Sequence, residues 1–294
     1  MKTALIFGID GQDGYYLSSF LKEKNYRVIG YSGDIRSHSI VENTIEKTKP
    51  IEIYNLVGQV KDRISFEYPY DVTSVICDGT LNILESIQKI NPDIKYFQSS
   101  SSEIYGKVDG VVNEETAFNP LTPYASARLF SQNLVNSYRD YYGMHCSCGI
   151  LFNHESPRRD ETYVTRKITS TVAKIKLGLV NSLSLDNVGV IKDFGFAGDY
   201  VRAMWMMLQK DRSDNYIIST GIGTTILEFV NKVFKHAGIK NIDKHFSFKS
   251  IKSYGVLGDN TKIKKKLKWT PDYSVDKLIE MMYTHDIERL LNEN

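Results

Sequence analysis

Cysteine is scarce in this chain: Cys77, Cys146 and Cys148 are the only three in 294 residues. An odd, sparse set excludes a complete disulfide framework and suits a reducing cytoplasm. An excess of one charge is also lacking, with 37 Lys and Arg against 35 Asp and Glu and a formal net charge of +2. No global field draws the chain to nucleic acid, so any anion recognition must be local. No segment reaches the roughly 18 apolar residues of a membrane span. The six histidines are scattered without metal-ligand spacing to cysteine or carboxylates, and no metal is expected. Internal repeats and low-complexity tracts are absent. The opening Met1 to Phe7 is too short an apolar stretch for a secretion signal and runs into Gly8-Ile9-Asp10-Gly11. It reads as a buried strand.

What is present is an ordinary globular mixture, 41% hydrophobic and 24% charged. Short β-branched runs alternate with amphipathic stretches, which predicts an α/β fold with a Rossmann-type, doubly wound parallel sheet covered by helices. Strands are expected over Ala4 to Ile9, Tyr26 to Tyr31, Ile51 to Val57, Lys95 to Ser99 and His145 to Leu151. Helices are expected over Tyr15 to Lys24, Gly79 to Ile90 and Tyr124 to Tyr142. In the second, Leu81, Ile83, Leu84 and Ile87 form one apolar stripe. Alternation puts Cys146 and Cys148 on one strand face, where buried thiols are expected.

After Phe152 the pattern turns irregular, with helices near Thr165 to Leu177, Asp199 to Leu208, Thr225 to Ala237 and Val275 to Leu291. Residues 1–152 are therefore assigned to a dinucleotide-binding core, and 153–294 mainly to a smaller substrate-binding lobe whose later segments also return to the core. The lysine-rich run from Lys262 to Lys268 carries Ile263 and Leu267 four apart. It reads as a short amphipathic helix with a solvated basic face rather than a nucleic-acid patch.

Three segments carry candidate chemistry. Gly8-Ile9-Asp10-Gly11-Gln12-Asp13-Gly14 follows the first strand and opens the first helix. Glycines there let the backbone turn tightly and approach a pyrophosphate at the positive helix end. Asp10 either repels a diphosphate or turns away and caps the following helix. After the second strand comes Gly30-Tyr31-Ser32-Gly33-Asp34-Ile35-Arg36. Asp34 lies at the offset from the glycines where an acid binds the ribose hydroxyls of NAD. Arg36 is a nearby cation suited to the 2′-phosphate of NADP. A plain turn with a solvated Asp34 is the alternative.

Farther on, Gln98-Ser99-Ser100-Ser101-Ser102-Glu103-Ile104-Tyr105-Gly106 ends a strand, and Tyr124-Ala125-Ser126-Ala127-Arg128 begins a helix. Residues i and i+4 share a helix face, so Tyr124 and Arg128 point into one cleft. A phenol is a poor base at neutral pH unless a neighbouring cation favours its ionised form. The third segment is Gly149-Ile150-Leu151-Phe152-Asn153-His154-Glu155-Ser156-Pro157-Arg158-Arg159, followed by Thr165-Arg166-Lys167-Ile168. It is a polar, doubly basic loop after a hydrophobic run, suited to a phosphorylated ligand. Lys192-Asp193-Phe194-Gly195-Phe196-Ala197-Gly198-Asp199-Tyr200-Val201 lies downstream.

Together these segments resemble the GDP-mannose 4,6-dehydratases, a branch of the extended short-chain dehydrogenase/reductases. The resemblance runs from Ala4 to about Glu288, with one internal deletion near the second strand. It implies that Gly8, Gly11, Gln12, Asp13 and Gly14 bind the cofactor, joined by Asp34, Arg36, Tyr124 and Arg128. Asp34 also matches a later family Gly-Asp that touches the adenine. The cofactor implied is NADP, although the family's Arg-Arg-Ser run that holds the 2′-phosphate is missing, which leaves NAD open. Tyr124 and Arg128 stand in the place of the family's Tyr-x-x-x-Lys pair.

Ser101, where the family has Thr, is implied to hydrogen-bond the sugar 4-hydroxyl, and Tyr124 to take its proton during C4 oxidation. Glu103 is implied to remove the C5 proton and assist loss of the C6 hydroxyl as water, which calls for a partly desolvated carboxylate. Asn153, Thr165, Lys167 and Lys192 match positions around the sugar nucleotide, with Lys192 in place of a diphosphate-clamping arginine. Arg158 and Arg159 flank that loop. Lys249, Ser250, Ile251 and Lys252 occupy the place of a nucleotide-reading segment.

The implied activity is dehydration of GDP-mannose or a related GDP-sugar by a cytoplasmic homo-oligomer, in all expectation a dimer. Two other readings stand beside it: a GDP-4-keto-6-deoxy-sugar reductase, and a catalytically degenerate nucleotide-sugar-binding partner.

Overall fold

A computed structural model describes residues 1–58 and 62–293. The strands are β1 (Thr3–Phe7), β2 (Arg27–Tyr31), β3 (Glu52–Asn55), β4 (Lys95–Ser101), β5 (Gly110–Val112), β6 (Cys146–Leu151) and β7 (His154–Glu155). They continue with β8 (Leu183–Asn187), β9 (Val190–Asp193), β10 (Gly195–Phe196), β11 (Tyr216–Ile218), β12 (Gly223–Thr225), β13 (Phe246–Ser250) and β14 (Tyr254–Gly258). The helices are α1 (Gln12–Glu23), α2 (His38–Thr48), α3 (Asp62–Glu67), α4 (Pro69–Ile90) and α5 (Pro123–Tyr142). The later ones are α6 (Val164–Lys176), α7 (Ala197–Leu208), α8 (Ile226–His236), α9 (Thr261–Leu267) and α10 (Val275–Glu293).

Six strands form one parallel sheet in the order β11-β6-β4-β3-β1-β2. Its central strands are buried on both faces, which is why β1 reads as an unbroken apolar run rather than an alternating one. From β2, at the edge, the chain crosses through α2 to β3 on the other side of β1. The order of strands therefore reverses at β1, and the loop leaving it opens into the crevice where such sheets bind ligands.

All five expected strands form, each trimmed or extended by a few residues. The expected second helix begins ten residues early, at Pro69, because Val72 and Ile76 continue its buried stripe of Ile83, Leu84 and Ile87. Leu81 does not belong to that stripe; it is 37% exposed. Gly79 hides the continuity in the sequence: a Cβ there would lie 2.3 Å from Ile35. Cys146 and Cys148 are buried free thiols, and burial pushes them up to about 12 in one case and higher in the other. The lysine run forms α9, which buries Ile263 and Leu267 beside the fully buried Trp269. Among the described residues, no helix is long and apolar enough to cross a membrane.

The two halves exchange segments. β11 and α7, from the second half, complete the large sheet and its cover, whereas β5, from the first, pairs with β14 in a four-stranded sheet of the lobe. The lobe has its own core of α6, α8 and α10, centred on Phe229, Val233, Phe234 and Met282. Thr225 and Glu228 form a capping box that starts α8. Inside the α6–α10 contact, Arg166 pairs with the fully buried Asp286 and donates to the Arg159 carbonyl at 3.0 Å. This pair fixes the basic loop to the lobe.

Candidate active site

The glycine loop is built for close backbone approach. Gly8 adopts φ +85°, which favours glycine, and its N–H donates to the Tyr31 carbonyl at 2.9 Å. A Cβ on Gly14 would lie 2.4 Å from the Ile9 carbonyl oxygen, so α1 packs against the strand end only without a side chain there. Gly11 is the N-cap of α1 and receives no side-chain cap; Asp10 is exposed and does not cap the helix. The α1 N-terminus thus has no side-chain cap at the sheet's switch point, an arrangement that fits a pyrophosphate on its N–H groups.

Gln12 and Asp13 are turned inward and tied to the segment after β6. Gln12 Nε2 donates to the His154 carbonyl at 3.1 Å, and Ser156 Oγ donates to Gln12 Oε1 at 2.8 Å. His154 Nε2 lies 2.9 and 3.0 Å from the two Asp13 carboxylate oxygens, and Nδ1 lies 2.7 Å from the Phe152 carbonyl. The two ring nitrogens face a carbonyl and a carboxylate, an arrangement that favours the protonated ring. Burial opposes the charge on each partner, but their mutual attraction and hydrogen bonds outweigh it. The His154 pKa is raised and the Asp13 pKa lowered from their ordinary values. Tyr200 stacks on the His154 ring, with centroids 4.7 Å apart.

Above this pair a cavity opens at the carboxyl ends of β4 and β6. Ser99 to Glu103, Tyr124, Arg128, Asn153, Arg159 and Lys192 all contribute to its wall. Its placement follows from polar groups buried beneath it. Asn55 Nδ2 donates to Gln98 Oε1 at 3.0 Å, and Gln98 Nε2 donates to the Ser99 carbonyl at 2.9 Å. These bonds fix the strand end that carries the serines. Ser101 Oγ accepts the Glu103 N–H at 3.2 Å and so starts the single 3-10 turn that presents Glu103. Ser100 Oγ is buried and finds no hydrogen-bond partner among the described residues.

Tyr124 stands in the first turn of α5, where Pro123 presets the helical φ and Thr122 Oγ1 accepts the Ala125 N–H at 3.0 Å. Arg128 follows one turn later. Its guanidinium carbon lies 5.2 Å from the Tyr124 ring centroid. Nη1 donates to the Ser99 carbonyl and Oγ at 2.9 and 3.1 Å, and Nη2 donates to the Gly58 carbonyl at 2.8 Å. The cation stays beside Tyr124, with Nη1 and Nη2 anchored on the protein by these bonds. Glu103 is half-buried, with Lys192 Nζ 3.9 Å from its Oε1.

The cavity therefore gathers Ser101, Glu103, Tyr124, Arg128, Asn153 and Lys192, but not every residue the sequence singled out. Thr165 is fully buried and donates to Glu155 Oε2 at 2.7 Å. Lys167 lines a separate groove, with Nζ 3.2 Å from the Ser184 carbonyl. Lys249 pairs with Asp186 on the surface, and the Lys252 N–H donates to Asn187 Oδ1 at 2.8 Å. Of the two flanking arginines, Arg158 lies over Tyr15 at 4.0 Å, whereas Arg159 turns into the cavity wall over Tyr163 at 3.8 Å. Arg159 Nε is 3.3 Å from Glu155 Oε2 without hydrogen-bond geometry, and Nη1 has no partner among the described residues. His154 was the residue that sequence reasoning passed over. Its signal was its place inside the eleven-residue loop, but its partner Asp13 lies 141 positions away.

A family profile for GDP-mannose 4,6 dehydratase matches residues 31–282. GDP-mannose 4,6 dehydratase 1 of Arabidopsis thaliana is 37% identical over 326 aligned residues, covering 98% of this chain and 90% of that protein. The human GDP-mannose 4,6 dehydratase is 38% identical, covering 97% and 91% respectively. In fold the chain is similar to RMD of Pseudomonas aeruginosa complexed with NADPH, with TM-score 0.88, 19% identity and coverage of 98% and 100%. It is likewise similar to dTDP-glucose 4,6-dehydratase of Bacillus anthracis in complex with NAD, with TM-score 0.84, 19% identity and coverage of 97% and 96%. The Rossmann-type core, the cavity at its carboxyl edge and this sequence identity over nearly the whole length agree: the chain belongs to the GDP-mannose 4,6-dehydratase family.

Proposed function

We propose that this protein is a lyase that dehydrates GDP-mannose, or a closely related GDP-hexose, to its 4-keto-6-deoxy product. The observation that carries the reading is the convergence of Ser101, Glu103, Tyr124 and Lys192 on one cavity in a chain of this family. A bound nicotinamide dinucleotide, NAD or NADP, supplies the hydride acceptor for C4 and the hydride donor for C6. The glycine loop, with Gly8, Gly11 and Gly14 at the start of α1, holds its pyrophosphate.

The chain's own residues do the proton chemistry. Tyr124 takes the proton of the 4-hydroxyl, and Ser101 Oγ orients that hydroxyl. The Arg128 charge beside the ring favours the ionised phenol. Once C4 is a ketone, the C5 proton is acidic; Glu103 removes it and protonates the departing C6 hydroxyl, which leaves as water. C5 is reprotonated through Glu103 from solvent while Tyr124 releases the proton it took, so that the proton count closes. Lys192 and Arg159 meet the diphosphate, and Asn153 lines the sugar pocket. Gln12, Asp13 and Thr165 act from behind, holding the loops that carry these contacts.

The assembly is a homodimer in this reading, joined through α4 and α5, whose outer faces expose Tyr70, Leu81, Phe130 and Tyr141. The free thiols support a cytoplasmic setting. Incubation of the purified protein with GDP-mannose and trace cofactor tests the activity. A 4-keto product without net cofactor consumption is expected. Turnover only with a keto-sugar and added reductant identifies a reductase; binding without product identifies a degenerate partner.

A further inference from the structure

The segment after β2 contains a charge cluster that bears on which dinucleotide the glycine loop takes. Asp34 lies 20 residues past Gly14, the offset at which an acid meets the adenosine ribose of a dinucleotide. The end of β2 touches the glycine loop through the Gly8–Tyr31 hydrogen bond. Asp34 Oδ1 accepts the Arg36 backbone N–H at 2.9 Å, and both carboxylate oxygens accept Arg36 Nε at 2.9 and 3.0 Å. Arg36 Nη2 lies 2.7 Å from Asp34 Oδ2, and Nη1 reaches Asp71 Oδ1, in the first turn of α4, at 3.2 Å.

This turn is anchored. Asn82 Nδ2 donates at 2.9 Å to both the Ile35 and the Arg36 carbonyls, and the Ile35 side chain is buried against Gly79. The guanidinium is therefore held between two carboxylates on a fixed backbone, and the three groups sum to one negative charge. A ribose 2′-hydroxyl donates a hydrogen bond, and the Asp34 carboxylate, 49% exposed, is open to such a donor in exchange for one of its Arg36 contacts. A 2′-phosphate brings up to two further negative charges to the same place. It gains Arg36 only if that side chain leaves Asp34 and Asp71.

Resting on the reading of the glycine loop as a dinucleotide site, we propose that the Asp34–Arg36–Asp71 cluster selects NAD over NADP. Asp34 receives the ribose diol, and Arg36 braces Asp34 instead of receiving a phosphate.

Isothermal titration of the full chain with NAD and with NADP, in the absence of sugar nucleotide, tests this by binding alone. Even with solvent screening of half-exposed charges, NAD should bind roughly tenfold more tightly or better, and the ratio should shrink in high salt. The double variant Asp34→Ala with Asp71→Ala frees Arg36. It should gain roughly tenfold in NADP affinity and lose NAD affinity, with its melting temperature close to the parent's because exposed pairs contribute little to stability. NADP binding as tightly as NAD to the parent overturns the proposal. So does an unchanged ratio in a folded double variant. If neither dinucleotide binds, the reading of the glycine loop falls as well, and that result is distinct from a reversed preference.

Discussion

Separating His154 from Asp13 should cost more than any single substitution on the protein's surface. The imidazolium and carboxylate are 2.9 Å apart, and their side chains are 6% and 11% exposed. Removing one partner strands the other charge in a largely buried site, which typically destabilises by about 3–5 kcal/mol. For a chain of this size each kcal/mol moves the melting temperature by roughly 2 °C. His154→Gln and Asp13→Asn should therefore each melt about 6–10 °C below the parent.

The double variant should lose less than the sum of the two, with a coupling of roughly 2 kcal/mol or more in a thermodynamic cycle. The sign of the pH dependence follows from the two shifts. The raised His154 pKa contributes stability that is complete below the unfolded value near 6.5 and lost as pH rises through the folded value. The lowered Asp13 pKa contributes stability present above about 3.8 and lost as pH falls through its folded value. Parent and His154→Gln should thus differ most below about pH 6.5, with the gap narrowing as pH rises above it. Melting curves from pH 5 to 9 give the answer. Additive single losses, or a gap independent of pH, would refute the account of a charged buried pair.

The remaining predictions concern the cavity. Tyr124→Phe should lower turnover by about a hundredfold or more with the fold intact, as expected for loss of an acid/base group; turnover within a few-fold of the parent removes Tyr124 from the proton path. In Glu103→Gln, oxidation at C4 should survive while water loss stalls, so absorbance of reduced nicotinamide should accumulate under single turnover. Normal formation of the 6-deoxy product there excludes Glu103 as the elimination base. Arg128→Lys keeps the charge but cannot reach Ser99 and Gly58 together in a fork, so it should retain activity with a lower melting temperature. Arg128→Met should lose both, by about 1–3 kcal/mol in stability from the acceptors left unpaired. An active, equally stable Arg128→Met variant assigns Arg128 no part in the site.

Local sequence determined much of this protein. Short, mainly apolar runs marked the buried parallel strands, a glycine triplet between strand and helix placed the switch-point loop, and a helix beginning at Tyr124 put Tyr124 and Arg128 on one face. These features were legible because each depends on residues within one or two turns of chain. Long-range pairing was not.

No spacing shows that Asp13 belongs to His154, that Arg128 spends its donors on Ser99 and Gly58, or that Arg36 is shared by Asp34 and Asp71. Thr165 and Lys167 sit two apart in one motif, yet the turn of α6 buries the first against Glu155 and leaves the second on a different groove. The lobe's short strands escaped notice because they lack the buried apolar runs of the central sheet and their partners come from distant segments. Burial and charge pairing are properties of the packed chain. Only the tertiary structure decided which polar side chains face the cavity and which hold it in place.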